Sequence, residues 1–127
     1  MKLNYDCIRD ILLTVEESDS LRANILLNEK NNYKRLAKYS SDDLQYNSLK
    51  LLGEGYINAL KYSGDNTTNI IFIDDLTWSG HELLNDIRSD SVYNSTKDKV
   101  KSTLGTVSIA VFQKLATDFA MKSLGLK

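Results

Sequence analysis

The chain has 127 residues, a length that suits one domain with a modest core. Hydrophobic residues make up 42% and charged residues 26%, near globular averages, which excludes a disordered chain. Lys and Arg number 16 against 17 Asp and Glu, so no global charge bias draws nucleic acid, and such binding would need a local patch.

There is no proline, so no helix is interrupted by one. A single cysteine, Cys7, cannot close an internal disulfide, which fits a reducing cytoplasm. The opening residues hold no apolar core of signal-peptide length, and no run approaches a membrane span. The expected localisation is cytoplasmic, with no membrane partner.

Residues 4–17 have helical periodicity, with Asn4 or Asp6 as cap and Ile8, Ile11, Leu12 and Val15 on one face. The apolar run Ala23–Asn28 suits a short strand, though periodicity alone admits a helical turn. Tyr33–Tyr39 suggests a short helix with Leu36 and Ala37 inward. Ser40 precedes Asp43 at capping-box spacing, and a helix follows over 41–52, stopped by Gly53-Glu54-Gly55. Tyr56–Tyr62 and Asn69–Asp74 are strands by β-branched and aromatic content, joined through Ser63–Thr68 as a hairpin.

Thr77 or Ser79 caps the next helix, whose core residues are Leu83, Leu84 and Ile87. Residues 90–102 are polar, with Val92, Tyr93 and Val100 as anchors, and fit an exposed helix or a loop. Residues 104–124 suggest one long helix. It carries a stripe of Val107, Val111, Leu115 and Phe119 beside a second of Ile109, Phe112 and Ala116. The order helix, strand, helix, hairpin, helix predicts an α+β fold: a winged helix-turn-helix over 1–89. A helical extension, 90–127, packs on the same core to make a single domain.

Three stretches carry a resemblance. They are Asp6–Leu13, Leu51–Ile57 and, most specifically, Leu76-Thr77-Trp78-Ser79-Gly80-His81-Glu82 with its continuation to Arg88. On these the chain resembles the 2513 family of domains of unknown function, found in phages, prophages and Gram-positive genomes. The resemblance implies a winged-helix-like fold and no defined activity, so no catalytic residue carries over.

The residues themselves argue against catalysis. Cys7 sits by the apolar stripe of the first helix and is expected to pack as an inert core residue. His81 is the only histidine and lacks metal partners at ligand spacing. Asp74-Asp75 is better explained as a charged turn than as a cation site. No catalytic residue, metal or cofactor is expected.

Binding has more in its favour. In a winged fold, residues 41–50 would lie in a DNA groove, where Gln45, Tyr46 and Lys50 would approach bases. Lys30, Lys34, Arg35 and Lys38 form a basic patch for the backbone of double-stranded DNA, with Lys61 at the base of the wing. Against this, Asp42 and Asp43 lead the helix, and the wing tip holds Asp65 and no cation. The rival expectation is a winged-helix module that binds a protein partner. Seven tyrosines favour it, four of them near the helix and wing (Tyr39, Tyr46, Tyr56, Tyr62). The apolar C-terminal helix offers a homodimer seam.

Overall fold

The computed structural model describes residues 1–126. It is an α+β fold in which one helix precedes a three-stranded antiparallel sheet and a second helix is inserted between its first and second strands. The chain divides into two compact units, Leu3–His81 and Glu82 onward.

In the first unit, α1 (Tyr5–Glu16) starts at Asn4, whose side chain accepts from the Cys7 amide. Its buried face carries Ile8, Ile11, Leu12 and Val15, the stripe expected from spacing. β1 (Ile25–Leu26) is only two residues long, and a 3₁₀ turn, Leu27–Asn32, follows. The expected Tyr33–Tyr39 helix is not formed. The segment is a chain of tight turns, with Leu36 and Ala37 both donating to the Tyr33 carbonyl and Tyr39 to that of Leu36. One feature of the expectation survives, since Leu36 is fully buried.

Ser40 caps α2 (Ser41–Gly53) by accepting from the Asp43 amide at 3.0 Å. Leu44, Asn47, Ser48 and Leu51 form its buried face. The helix ends as sequence predicts. Gly55 takes φ +79°, and the Tyr56 and Gly55 amides close back on the Leu51 and Leu52 carbonyls.

β2 (Ile57–Gly64) and β3 (Thr67–Leu76) are longer than expected, and their turn is tighter. Only Asp65 and Asn66 lie between them, both in the left-handed region at φ 49° and 66°. Two such residues match the twist of the flanking strands, and Asp and Asn tolerate that conformation better than most side chains. The sheet order is β1-β3-β2. Register shifts leave Asp74 and Ile71 without partners on β2, a pair of bulges that sharpens the twist. The core face of the sheet carries Ile25, Ile73 and Ala59 in one row.

Thr77 is the cap of α3 (Trp78–Ile87), accepting from the Gly80 amide at 3.1 Å, while its own hydroxyl donates to the Gly55 carbonyl. Gly80 sits against the Tyr56 carbonyl so closely that any Cβ there would overlap the oxygen. This crossing explains the glycine in the Trp78-Ser79-Gly80-His81 run.

In the second unit, residues 90–102 settle as helix within α4 (Asp90–Thr103), capped by Ser89. The expected single helix over 104–124 is broken. Leu104 and Gly105 end α4, both closing on the Val100 carbonyl, and Ser108 caps a new helix, α5 (Ile109–Ser123). Gly105 at φ +77° ends a helix that apolar spacing alone would carry through. Of the two stripes expected on α5, Ile109, Phe112 and Ala116 are buried. Phe112 meets Tyr93 of α4 at 5.9 Å between ring centroids, and Gln113 donates to Asp86 at 2.8 Å. Among the described residues no helix is long and apolar enough to cross a membrane.

Gly80→Ala should cost about 3 kcal/mol or more, because the intruding methyl meets backbone that cannot rotate away. Urea unfolding of the variant beside the native chain checks this, and an unchanged midpoint would mean that the crossing is not close.

Candidate interaction surface

The elements expected to face a ligand are α2, the β2–β3 wing, and the basic segment after β1. In α2 the key side chain is Gln45. Its amide oxygen accepts from the Ile70 backbone N–H at 2.7 Å, and its amide nitrogen donates to the Ile70 carbonyl at 2.8 Å. β1 pairs with β3 only at Phe72 and Ile73, so Gln45 supplies the hydrogen bonds that a longer β1 would have made. An amide so engaged is not presented to a base edge. Tyr46 is half-buried, with the Lys50 ammonium 5.3 Å from its ring centroid. Asp42 and Asp43 occupy the first turn, where they complement the helix dipole.

Asn47, also on α2, is fully buried and ties α2 to the start of α1. It accepts from the Asn4 amide at 3.0 Å and donates to the Asp43 carbonyl at 2.8 Å. Beside it lies Cys7, fully buried, with its sulfur 3.8 Å from the same carbonyl. Burial, reinforced by Asp43 and Asp10, pushes the thiol pKa up from 9.0 to about 12.

The basic segment is brought together, but not as a free patch. The Arg35 guanidinium grips Glu17 through two hydrogen bonds of 2.7 and 3.0 Å and reaches Asp10 at 3.8 Å. Lys38 pairs with Asp10 at 3.2 Å, and the Tyr39 hydroxyl donates to the same carboxylate at 2.6 Å. The Arg35 hydrogen bond holds Glu17 below the usual carboxylate range, and the same contact raises Arg35. Burial and the Asp10 hydrogen bond push the Tyr39 hydroxyl upward. Lys30 donates to the Ala37 carbonyl at 2.9 Å, while Lys34 stays exposed. Lys34, Arg35 and Lys38 line an open cleft of about 440 Å³ with Asp10 and Glu17. Sequence reasoning missed these two acids. Asp10 lies on α1 and Glu17, seven residues on, at its C-cap, a spacing that is the available signal.

The β2–β3 hairpin presents a different chemistry. On its outer face the strand register aligns Leu26, Phe72 and Leu60 across all three strands, and Tyr62 follows Leu60 along β2. Leu60 is 48% exposed, Tyr62 59% and the bulged Ile71 42%. Lys61, exposed, pairs with Ile70 on the opposite face. At the N-terminus of α3, Trp78 is 80% exposed and His81 is exposed nearby. His81 shares a shallow cleft of about 160 Å³ with Asp74, Asp75 and Leu21. Asp74 pairs with Arg22 at 3.3 Å, and Asp75 accepts from Asn58 at 2.7 Å. Among the described residues no group of three His, Cys, Asp or Glu is placed to hold a metal ion.

The geometry therefore defines an α+β protein with a docked helix–hairpin pair and a sheet face with exposed apolar side chains. The chain belongs to the family described as "Hypothetical protein (DUF2513)", whose model matches residues 2–107. An uncharacterised protein of Haemophilus influenzae is 35% identical over 116 residues, spanning 91% of this chain and 92% of its own. No solved structure matches the chain.

Two outcomes follow. Gln45→Ala should cost about 2 kcal/mol, because it leaves the Ile70 N–H and C=O without their partners. Hydrogen exchange at the Ile70 amide should accelerate in the same variant, and unchanged protection would show the clamp to be dispensable. The raised Cys7 pKa has its own signature. The folded value lies above the unfolded one, so its stabilisation is complete below about pH 9 and lost as pH rises towards 12. The denaturation midpoint should fall over that range, and a thiol reagent at about pH 8 should label Cys7 only after unfolding. Prompt labelling of the native chain would contradict the burial.

Proposed function

We propose that this chain is a non-catalytic binding module, a winged helix-turn-helix core that docks a protein partner on the outer face of its wing. One observation carries the proposal: Leu60 and Tyr62 stand exposed on β2, with Leu60 in register with Phe72 and Leu26, and the bulged Ile71 is exposed on the neighbouring strand. Clustered apolar and aromatic exposure on a small domain is the chemistry of protein recognition. The element order and the β1-β3-β2 sheet support the winged assignment. The sealed thiol of Cys7 supports the absence of catalysis.

Double-stranded DNA is the second reading. Lys34, Lys50 and Lys61 favour it, since none of the three has an acidic partner among the described residues. Three cations neutralise little phosphate, Asp42 and Asp43 repel it, and Gln45 is committed to the wing. A homodimer through α5 would use Val111, which is 45% exposed, with the half-buried Leu115 and Phe119.

A photo-crosslinking residue at position 62, expressed in the native host, separates these readings. Protein docking predicts a discrete adduct of constant mass, weakened by Leu60→Asp in a chain that keeps its helical signal. An adduct of twice the chain mass would identify a second copy instead. No adduct, together with a salt-sensitive gel shift of the native chain on duplex DNA, would replace protein docking with the nucleic-acid function.

A further inference from the structure

The wing and the cleft beside α1 have opposite chemistries, and only the wing is accounted for by protein docking. Lys34, Arg35 and Lys38 converge on one cleft of about 440 Å³. A helix face with two acids closes it: Glu17 on the Arg35 guanidinium, and Asp10 between Lys38 and Arg35. Asp10 stands on α1 and Glu17 at its C-cap, and α1 is rigidly seated through Asn4, Asn47 and its buried stripe.

We propose that Lys34, Arg35 and Lys38 form a latent site for the phosphate backbone of duplex nucleic acid, and that Glu17 and Asp10 are the internal anions that occupy it. This goes beyond the protein-docking function and does not depend on it.

The geometry supports the substitution of one anion for another. The fork of Arg35 grips two oxygens of Glu17, the bidentate arrangement by which guanidinium also holds phosphate. The Arg35 and Glu17 side chains are 40% and 54% exposed, so the pair is reached by solvent and screened by salt. Asp10 is different. Its side chain is only 14% exposed, and it also accepts from Tyr39, so it is the firmer half of the plug. Lys34 lines the same cleft, exposed and without an acidic partner among the described residues, as a further cation for phosphate. Duplex must compete with tethered carboxylates for Arg35 and Lys38, and releases few counterions when it does.

The test is charge neutralisation without loss of shape. Asp10→Asn with Glu17→Gln removes both anions and retains an acceptor for Tyr39. The charge-matched control is Asp98→Asn with Asp118→Asn, on exposed positions of α4 and α5. Binding to a mixed-sequence 20–30 base-pair duplex is measured by anisotropy across a salt series. The plug-free variant should bind about tenfold tighter than both native chain and control at low salt, with a salt dependence steeper by about two phosphates. Adding Lys34→Gln, Arg35→Gln and Lys38→Gln should cancel the gain. Circular dichroism checks the fold. Should the double variant unfold, Glu17→Gln alone, at the exposed pair, carries the same comparison with a smaller gain. A folded variant that binds no tighter than the control, or whose gain survives loss of the three cations, overturns the proposal.

Discussion

One side-chain amide fastens the β2–β3 hairpin to α2. Gln45 makes two hydrogen bonds to the Ile70 backbone and so takes the position of a strand residue beside β3. β1 is too short to reach that far, and without the amide the edge of β3 would expose a donor and an acceptor with no partner. The same contact makes α2 and the hairpin a single mechanical piece. A ligand that moved the wing would have to move the helix or break two hydrogen bonds. Surfaces on this pair are therefore preorganised, which lowers the entropic cost of docking a rigid partner.

Much of this architecture was legible because it follows local rules. The stripe of α1, the end of α2 at Gly55 and the hairpin depend on spacing, on a left-handed glycine and on β-branched content, all written within a few residues. The errors arose where local rules competed. Val107, Val111 and Leu115 kept helical spacing across a break, and the pattern outweighed Gly105 and Ser108, whose conformational demands decided the matter. Tyr33–Tyr39 looks helical by composition, yet Tyr39 is drawn to Asp10 of α1 and Leu36 into the core, and a run of turns satisfies both.

The interaction surface was less legible, for a different reason. In the sequence Gln45 reads as a free amide because nothing near it in the chain names Ile70, 25 residues on. Lys38 and Arg35 were read as a cationic patch because their counter-ions lie 18 to 28 positions earlier, on a helix identified by its apolar face. A near-zero net charge conceals both possibilities equally. Composition counts charges, while pairing determines which of them reach a ligand. Tyr62 is legible as one of the tyrosines near the hairpin, whereas the exposure of Leu60 and Ile71 is not, since strand content alone does not say which apolar residues meet water.

One further property follows from the start of α3. The chain has a single tryptophan, and Trp78 holds four-fifths of its surface in water. Its indole is therefore an intrinsic optical gauge for that end of the molecule. In the isolated chain it emits as a hydrated ring, red-shifted and open to collisional quenchers. Whatever comes to cover the first turn of α3 will be announced by a blue shift, without any label attached.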